Sequence, residues 1–548
     1  MLGLRTLFAL SLLLLLVEPG HVPLIEPDEG RYAEIPREML ASRDFVTPRL
    51  NGVVYFEKPP LYYWAVAGSM AVLGQNELAA RVPTKLASFL LALLPYLFAR
   101  RRFGERTALL AGLFVASSSL VVALVRVSLI DACVSAALAA AVFAFAGFQE
   151  REAAGDRKGA TRALFGLHAA CAAALMLKGL IGLTLPGGAI LVFLAVTRRW
   201  GLFPRLFSPG PLALFLALVL PWHVLAAMRN PGFLGFYVVH EQLLRFATTI
   251  HKRNGHPLYF VAVLLAGFFP WTLFFARLGE TWPGRRLAAW RDPRRSAETL
   301  LWIFSILVFL FFSASKSKLI PYLQPIWPTV GLLLALGIER ARERGELFRM
   351  ERRIAAAVFG LCFAAGVAYA FGAGLASRFE VTTGAVVMLA GFLLGAVVLV
   401  ASNERSVPVV PGMGAAWLVF QAGALVALPG VARQLTPWPV VSVALREIAA
   451  GDAVLQYGDY LQVLPFYLRR LTPIVGLGES ELDFGRANPH DPALFPTGTE
   501  LAALWRDGRR VFAVVHLDRL AGFERLGLPA PRVLATDPRG KHVLLSNR

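Results

Sequence analysis

Apolar runs of roughly 16 to 22 residues recur along this chain between arginine clusters, and each is about long enough to cross a hydrocarbon core of roughly 30 Å as a helix. A backbone surrounded by lipid must satisfy its own N–H and C=O groups, so these runs commit the chain to helices that span a membrane. They lie at 2–18, 80–99, 107–125, 128–148, 163–178, 180–197, 211–228, 258–276, 299–315, 319–337, 354–375, 383–401 and 412–430. About thirteen transmembrane helices are therefore expected within residues 1–430. A mean hydropathy of +0.58, with 56% hydrophobic and 17% charged residues, argues against an ordinary soluble protein. The opening MLGLRTLFALSLLLLL has the length and charge of a signal peptide, yet Val17, Glu18 and Pro19 follow it without a small-residue cleavage site. It is read as an uncleaved first span.

Lysine and arginine near span ends are retained in the cytoplasm. Loops holding Arg100, Arg101, Arg102 and Arg106, then Arg151, Arg157, Lys158 and Arg162, and later Arg198, Arg277, Arg285 and Arg340 are far more basic than the alternate loops. The alternate loops, the polar segment after the first span and everything after about residue 431 are then expected outside. Much of the net charge of +19 is thereby topological, and nucleic acid is not an expected partner. Cys133, Cys171 and Cys362 fall within expected spans, which argues against a disulfide framework or a thiolate metal cluster.

From residue 431 to 548 charge returns, and short β-like runs (VLQYG, PIVGLG, VFAVVH, RVLATD, HVLLSN) alternate with helical stretches such as YLQVLPFYLRRL and TELAALWRDGRR. This pattern predicts a small soluble α/β domain. Within it Asp459, Tyr460, His516 and Asp518 match no spacing with a chemical meaning.

Polar residues that a bilayer should not tolerate gather on the outward side. Asp28, Glu29, Arg31, Tyr32 and Glu34 follow the first span, and Tyr55, Glu57 and Lys58 precede Pro59 and Pro60. Asp131 sits near the mouth of the fourth span, Lys178 in a tight outer turn, His240, Glu241 and Arg245 after the seventh span, and Lys316, Lys318 and Tyr322 between the ninth and tenth. Ionisable groups at such depths are costly unless paired or hydrated, so they are candidate functional residues. Each also has a plainer reading. DEGRYAEIPREML would be an interfacial helix with Tyr32, Ile35, Met39 and Leu40 toward lipid. Lys58 would snorkel to a lipid phosphate, and Asp131 would cap a helix. Taken together the groups suit a reaction on a phosphate-linked lipid, with cations for the phosphate and carboxylates for proton or charge management.

DEGRYAEIPREML, followed by VVYFEKPPLYYW, MLKGLIGLTLP, HEQLLRF and SKSKLIPYLQPIWP, resembles the polyprenyl-phosphate-sugar-dependent membrane glycosyltransferases that include the aminoarabinose transferase of lipid A. A more distant resemblance joins protein O-mannosyltransferases and the oligosaccharyltransferase subunit. The resemblance implies a GT-C architecture over residues 1–430 with a periplasmic α/β domain at 431–548. It implies a multi-pass protein of the bacterial inner membrane whose active site faces the periplasm. Asp28, Glu29 and Asp131 match its catalytic acidic positions, and Arg31, Tyr32, Tyr55, Lys58, Arg245, Lys316, Lys318 and Tyr322 are assigned to substrate binding. Glu57 and His240 match a pair that can bind zinc, a metal expected to be structural with water, phosphate or another side chain completing its shell, and no cofactor is otherwise required. Gly30 departs from the family pattern, where a bulkier residue or proline often stands.

The implied reaction is inverting displacement on an undecaprenyl-phosphate-linked sugar, with lipid A or another envelope glycan as acceptor among membrane lipids. Two other readings stay open from the residues: protein O-glycosylation from the same donor, and a transporter or flippase for a lipid-linked sugar. The one-sided placement of the polar groups and the lack of repeated halves weigh against transport.

Overall fold

Serine pairs and prolines divide the apolar runs into the helices that form. The computed structural model describes residues 1–244, 256, 258–346, 348–372, 379–401 and 409–548. Among them nine helices are long and apolar enough to cross a membrane: Glu77–Arg102, Ile130–Ala153, Arg157–Lys178, Pro209–Arg229, Pro293–Ala314, Ile320–Glu343, Arg349–Ala370, Val381–Ala401 and Val409–Leu435. The pair Tyr259–Gly267 and Trp271–Glu280, bent by 105°, makes a tenth if it counts as one span. Leu2–Leu16, Leu61–Leu73 and Ile181–Thr197 are shorter apolar helices. The chain is thus a multi-pass helical membrane protein, but the expectation of about thirteen full spans gives way to nine or ten among the described residues.

The physical reasons are local. The run expected at 107–125 breaks into Glu105–Ala116 and Ser119–Leu124. There the Ser117 hydroxyl donates to the Leu113 carbonyl at 2.5 Å and the Ser118 hydroxyl to that of Val115 at 3.0 Å, competing with the backbone ladder. The run at 258–276 bends next to Pro270, which has no N–H to continue a helix.

Contacts divide the chain into two units, residues 1–17 with 83–426 and residues 18–82 with 427–548. The segment 18–82, read from sequence as part of the helical region, therefore packs with the C-terminal residues.

In the first unit the carbonyl freed at Ser117 becomes a polar node. It accepts from Trp417 Nε1 and Gln421 Nε2, each at 2.7 Å, while Trp271 Nε1 donates to the Ser117 hydroxyl and Trp327 Nε1 to that of Ser118, both at 3.0 Å. Arginines of the basic loops are not only topological signals. Arg340 and Arg295 both donate to buried Glu298, at 2.5 and 2.9 Å, and Arg106 and Arg342 both reach Glu339, at 2.7 and 2.9 Å.

In the second unit, strands β1 (Arg49–Leu50) and β2 (Val53–Val54) form a hairpin whose turn, Asn51 and Gly52, takes positive φ at both residues, as this tight turn requires. The five C-terminal runs expected as strands are all strands: β3 (Ala453–Tyr457), β4 (Ile474–Val475), β5 (Val511–His516), β6 (Arg532–Thr536) and β7 (His542–Ser546). They form one sheet in the order β4-β3-β5-β7-β6. β3 is parallel to both β4 and β5, and β7 is antiparallel to β5 and β6. Buried Leu455, Val511, Ala513, Val515, Val543 and Leu545 pack with Leu501, Trp505 and Phe523 into the core beneath it. Helix Gly498–Arg506 starts with a Thr497–Glu500 capping box.

Candidate active site

Helix Asp28–Ser42 opens with both of its acidic residues in the first turn, where the helix dipole favours negative charge. The two then diverge. Asp28 keeps 48% of its side chain exposed and pairs with Arg31, one turn on, whereas Glu29 is wholly buried. Arg31 also donates through NH1 to the Tyr55 hydroxyl at 3.1 Å, and its guanidinium lies 5.7 and 6.0 Å from the ring centroids of Tyr32 and Tyr55. Its Nε is buried without a hydrogen-bond partner. Four expected residues, Asp28, Arg31, Tyr32 and Tyr55, are therefore brought together around one guanidinium. A half-exposed carboxylate held by an arginine is fixed in direction yet accessible to a reacting molecule.

Glu29 has a different environment. Its carboxylate receives Arg81 Nε and NH2, both at 2.9 Å, and the Ile25 N–H at 2.9 Å. Arg81, itself with no exposed side chain, also donates to Glu18 at 3.0 Å and to the carbonyls of Val22 at 2.8 Å and Pro23 at 3.1 Å. Arg81 and Glu18 were not singled out from the sequence, because nothing in their spacing reveals that they meet Glu29. This network ties the start of the helix, and hence Asp28, to the chain before and after it.

The helix does not lie on lipid through Tyr32, Ile35 and Met39, since those side chains are buried in protein. Gly30 explains itself at the same contact: a Cβ there would meet the Val463 nitrogen at 2.8 Å and the Gln462 carbonyl carbon at 2.9 Å. Departure from a bulkier residue at this position lets helix Val463–Leu468 approach. The C-terminal residues contribute chemistry as well. Glu26 accepts from the Val463 N–H at 2.5 Å, and Glu481 interacts electrostatically with Arg31 and Glu57, although burial pushes its carboxyl up.

Burial likewise raises the carboxyls of Glu26 and Glu38 to about 8. For Glu38 the neighbouring Glu34 adds to the effect, and the hydrogen bond it accepts from Gly52 N–H opposes it. A carboxyl raised in the folded state binds its proton more tightly there than in the unfolded chain. Its contribution to stability is complete below about pH 4.5 and is lost as pH rises to about 8. Glu38→Gln, which is neutral throughout, is expected to flatten the fall in melting temperature between pH 5 and 8 and to stabilise the protein at pH 8 by roughly 1–2 kcal/mol. An unchanged pH dependence in thermal melts would refute this.

Lys58, with 12% of its side chain exposed, donates to the Glu57 carbonyl at 2.9 Å and lies 3.8 Å from the Glu57 carboxylate.

A second cluster belongs to the first unit. Asp131 stands in the first turn of Ile130–Ala153 and Lys178 in the last turn of Arg157–Lys178, so each complements a helix dipole while the two form an ion pair. The Lys178 ammonium is 4.8 Å from the Tyr322 ring centroid, and the Tyr322 ring lies 5.0 Å from that of Phe312. These residues line a small cleft with Ser135, Pro321 and Pro325. Lys318 plays another part. Its ammonium donates to the carbonyls of Ser313 at 2.9 Å and Ser315 at 3.0 Å, closing the end of helix Ser296–Ala314, while Lys316 is exposed. His240 stacks on Phe236 and has Nδ1 3.2 Å from Glu241. Arg245 lies outside the described residues.

Glu57 and His240 fall in different units. Among the described residues, neither belongs to a group of three histidine, cysteine or acidic ligands, whereas Asp459, His516 and His542 form one.

Residues 5–237 match the family model described as dolichyl-phosphate-mannose-protein mannosyltransferase, and residues 440–545 match the aminoarabinose transferase C-terminal domain. The chain is 34% identical over 337 residues to the undecaprenyl phosphate-alpha-4-amino-4-deoxy-L-arabinose arabinosyl transferase of Edwardsiella ictaluri (strain 93-146), covering 61% of this chain and 58% of that protein. It therefore spans less than two thirds of that relative's length. The identically named protein of Serratia proteamaculans (strain 568) is 32% identical over 397 residues, covering 70% of this chain and 69% of that one. The crystal structure of ArnT from Cupriavidus metallidurans bound to undecaprenyl phosphate superposes with a TM-score of 0.82 at 28% identity, covering 99% of this chain and 98% of that one.

Proposed function

The chain belongs to the family of undecaprenyl phosphate-alpha-4-amino-4-deoxy-L-arabinose arabinosyl transferases, and from that membership we propose that it transfers a sugar from an undecaprenyl-phosphate carrier to a lipid A phosphate. The observation that carries the reading is the likeness, along 99% of the chain, to an ArnT structure whose ligand is undecaprenyl phosphate. The reaction takes place on the periplasmic face of the bacterial inner membrane, a placement supported by the scarcity of lysine and arginine in the alternate loops on the side of the acidic motif, against their excess in the opposite loops.

In this proposal the bond between the anomeric carbon and the carrier phosphate oxygen breaks as an oxygen of the acceptor phosphate bonds to that carbon from the opposite face. Undecaprenyl phosphate leaves with the electron pair. Lys58, Arg31 and Arg245 neutralise the charge that grows on it. Arg31 suits this role because its guanidinium is held by Tyr55 and by the half-exposed Asp28. An acceptor phosphate is already anionic, so Asp28 orients it or stabilises the cationic sugar centre. Should the acceptor be a hydroxyl, Asp28 takes its proton as general base. Glu29 acts through Arg81 as a positioning residue. Lys178, with Asp131 as its counter-ion and Tyr322 beneath it, is a further anion site, and Lys316 and Lys318 flank the approach to Tyr322.

The match to a mannosyltransferase model whose description names a protein acceptor favours one second reading, protein O-glycosylation from the same class of donor. Lys58→Ala separates a phosphate-binding role from a structural one. In purified protein it is expected to lower kcat/KM by roughly 10²–10³ with the melting temperature unchanged. Near-normal turnover would remove Lys58 from the mechanism.

A further inference from the structure

Asp459 and His516, for which the sequence offered no partner, are joined in the fold by His542. β3 and β5 run parallel, so Asp459, just beyond the end of β3, and His516, the last residue of β5, emerge at the same carboxyl edge of the sheet. Such edges are where open α/β sheets place ligands. β7 runs antiparallel to β5 with His542 directly opposite His516, and the two imidazoles lie 5.2 Å apart and nearly perpendicular. One donor atom from each of Asp459, His516 and His542 lies within 4.8 Å of the others.

The second observation concerns His542. It is 6% exposed, yet neither ring nitrogen has a hydrogen-bond partner. Nε2 stands 3.6 Å from an Asp459 carboxylate oxygen and Nδ1 3.6 Å from Asp537. Both separations are too long for hydrogen bonds. A buried imidazole without a hydrogen bond forgoes about 1–3 kcal/mol, and the two carboxylates offset this only through long ion-pair contacts. For two donors on one tetrahedral zinc, bond lengths near 2.0–2.1 Å put the donor atoms about 3.4 Å apart, close to the spacing between Nε2 and Asp459. Asp537 faces Nδ1 on the far side of the ring, the side from which a carboxylate can orient a metal-ligating histidine. It is held there by Arg539, whose NH2 donates at 2.6 Å and whose backbone N–H donates at 2.9 Å.

We propose that Asp459, His516 and His542 bind a divalent transition-metal ion of the zinc class, with a fourth position open to water or an exogenous ligand beside the half-exposed Asp459. The three ligands include neither Glu57 nor His240, and the inference does not depend on the proposed transfer reaction.

The test uses the full chain in detergent, stripped with a chelator, dialysed against zinc sulfate and counted for bound metal by mass spectrometry. His516 is partly exposed, so His516→Ala should keep the fold, and a melting temperature equal to that of the stripped parent checks this. The expected result is one equivalent less zinc in His516→Ala than in the parent, together with loss of the zinc-induced rise in melting temperature that the parent shows. Cobalt(II) in place of zinc should give tetrahedral ligand-field bands that weaken in this variant and in Asp459→Asn. Equal zinc content in parent and His516→Ala, or no retained zinc in either, would overturn the proposal. Zinc held at any other site stays constant across these variants and drops out of the difference.

Discussion

Replacing Asp28 by asparagine is expected to lower kcat for sugar transfer by roughly 10²–10⁴-fold while changing the KM for the undecaprenyl-phosphate donor only a few-fold. Asparagine keeps the size of the side chain and an oxygen for the Arg31 guanidinium, so the helix start and the arginine stay in place. What is removed is negative charge and basicity at the one acidic position of the first turn that reaches solvent, since Asp28 is 48% exposed and Glu29 is not exposed at all. A loss confined to kcat marks a group that acts as charge builds at the sugar carbon. Steady-state kinetics on the purified variant decide the matter. Unaltered kcat would take Asp28 out of the reaction and leave it a helix-dipole partner.

The second large effect falls on stability. Arg81→Met should leave Glu29 charged and buried without its guanidinium partner, and should also strip donors from Glu18 and from the Val22 and Pro23 carbonyls. Breaking one side of such a buried pair costs roughly 3–5 kcal/mol. The melting temperature of the full chain is expected to fall by on the order of 10 °C. Adding Glu29→Leu to Arg81→Met removes the stranded charge and should recover a large part of that loss, because a pair replaced by apolar groups costs much less than a pair cut in half. Additive losses in the double variant would show that the two side chains are not energetically coupled.

The fold was legible where one residue type repeats at one period. All five C-terminal strands follow from β-branched and apolar runs such as VFAVVH and HVLLSN, and the apolar runs upstream fall on helices. Span continuity was less legible, because a Ser117–Ser118 break or a bend next to Pro270 rests on a few atoms that leave hydropathy unchanged. The acidic motif marked helix Asp28–Ser42, but its residues alone did not show how differently Asp28 and Glu29 are placed. Only the fold separates them, through Arg81, which lies in the expected span 80–99 and carries no sign in the sequence of its contact with Glu29. Lys318 shows the same limit: its charge was visible, but its use in closing a helix end was not. Histidine 542 had no local signal at all, since its meeting with Asp459 and His516 depends on β3, β5 and β7 lying side by side.

The most direct test is mass spectrometry of lipid A from matched bacterial envelopes with and without this protein, with Asp28→Ala as control. The account predicts a mass increment of one transferred sugar, such as a pentosamine or a hexosamine, that depends on the protein and disappears in the control. Lipid A of identical mass in all three samples, with the protein present in the membrane, would contradict it.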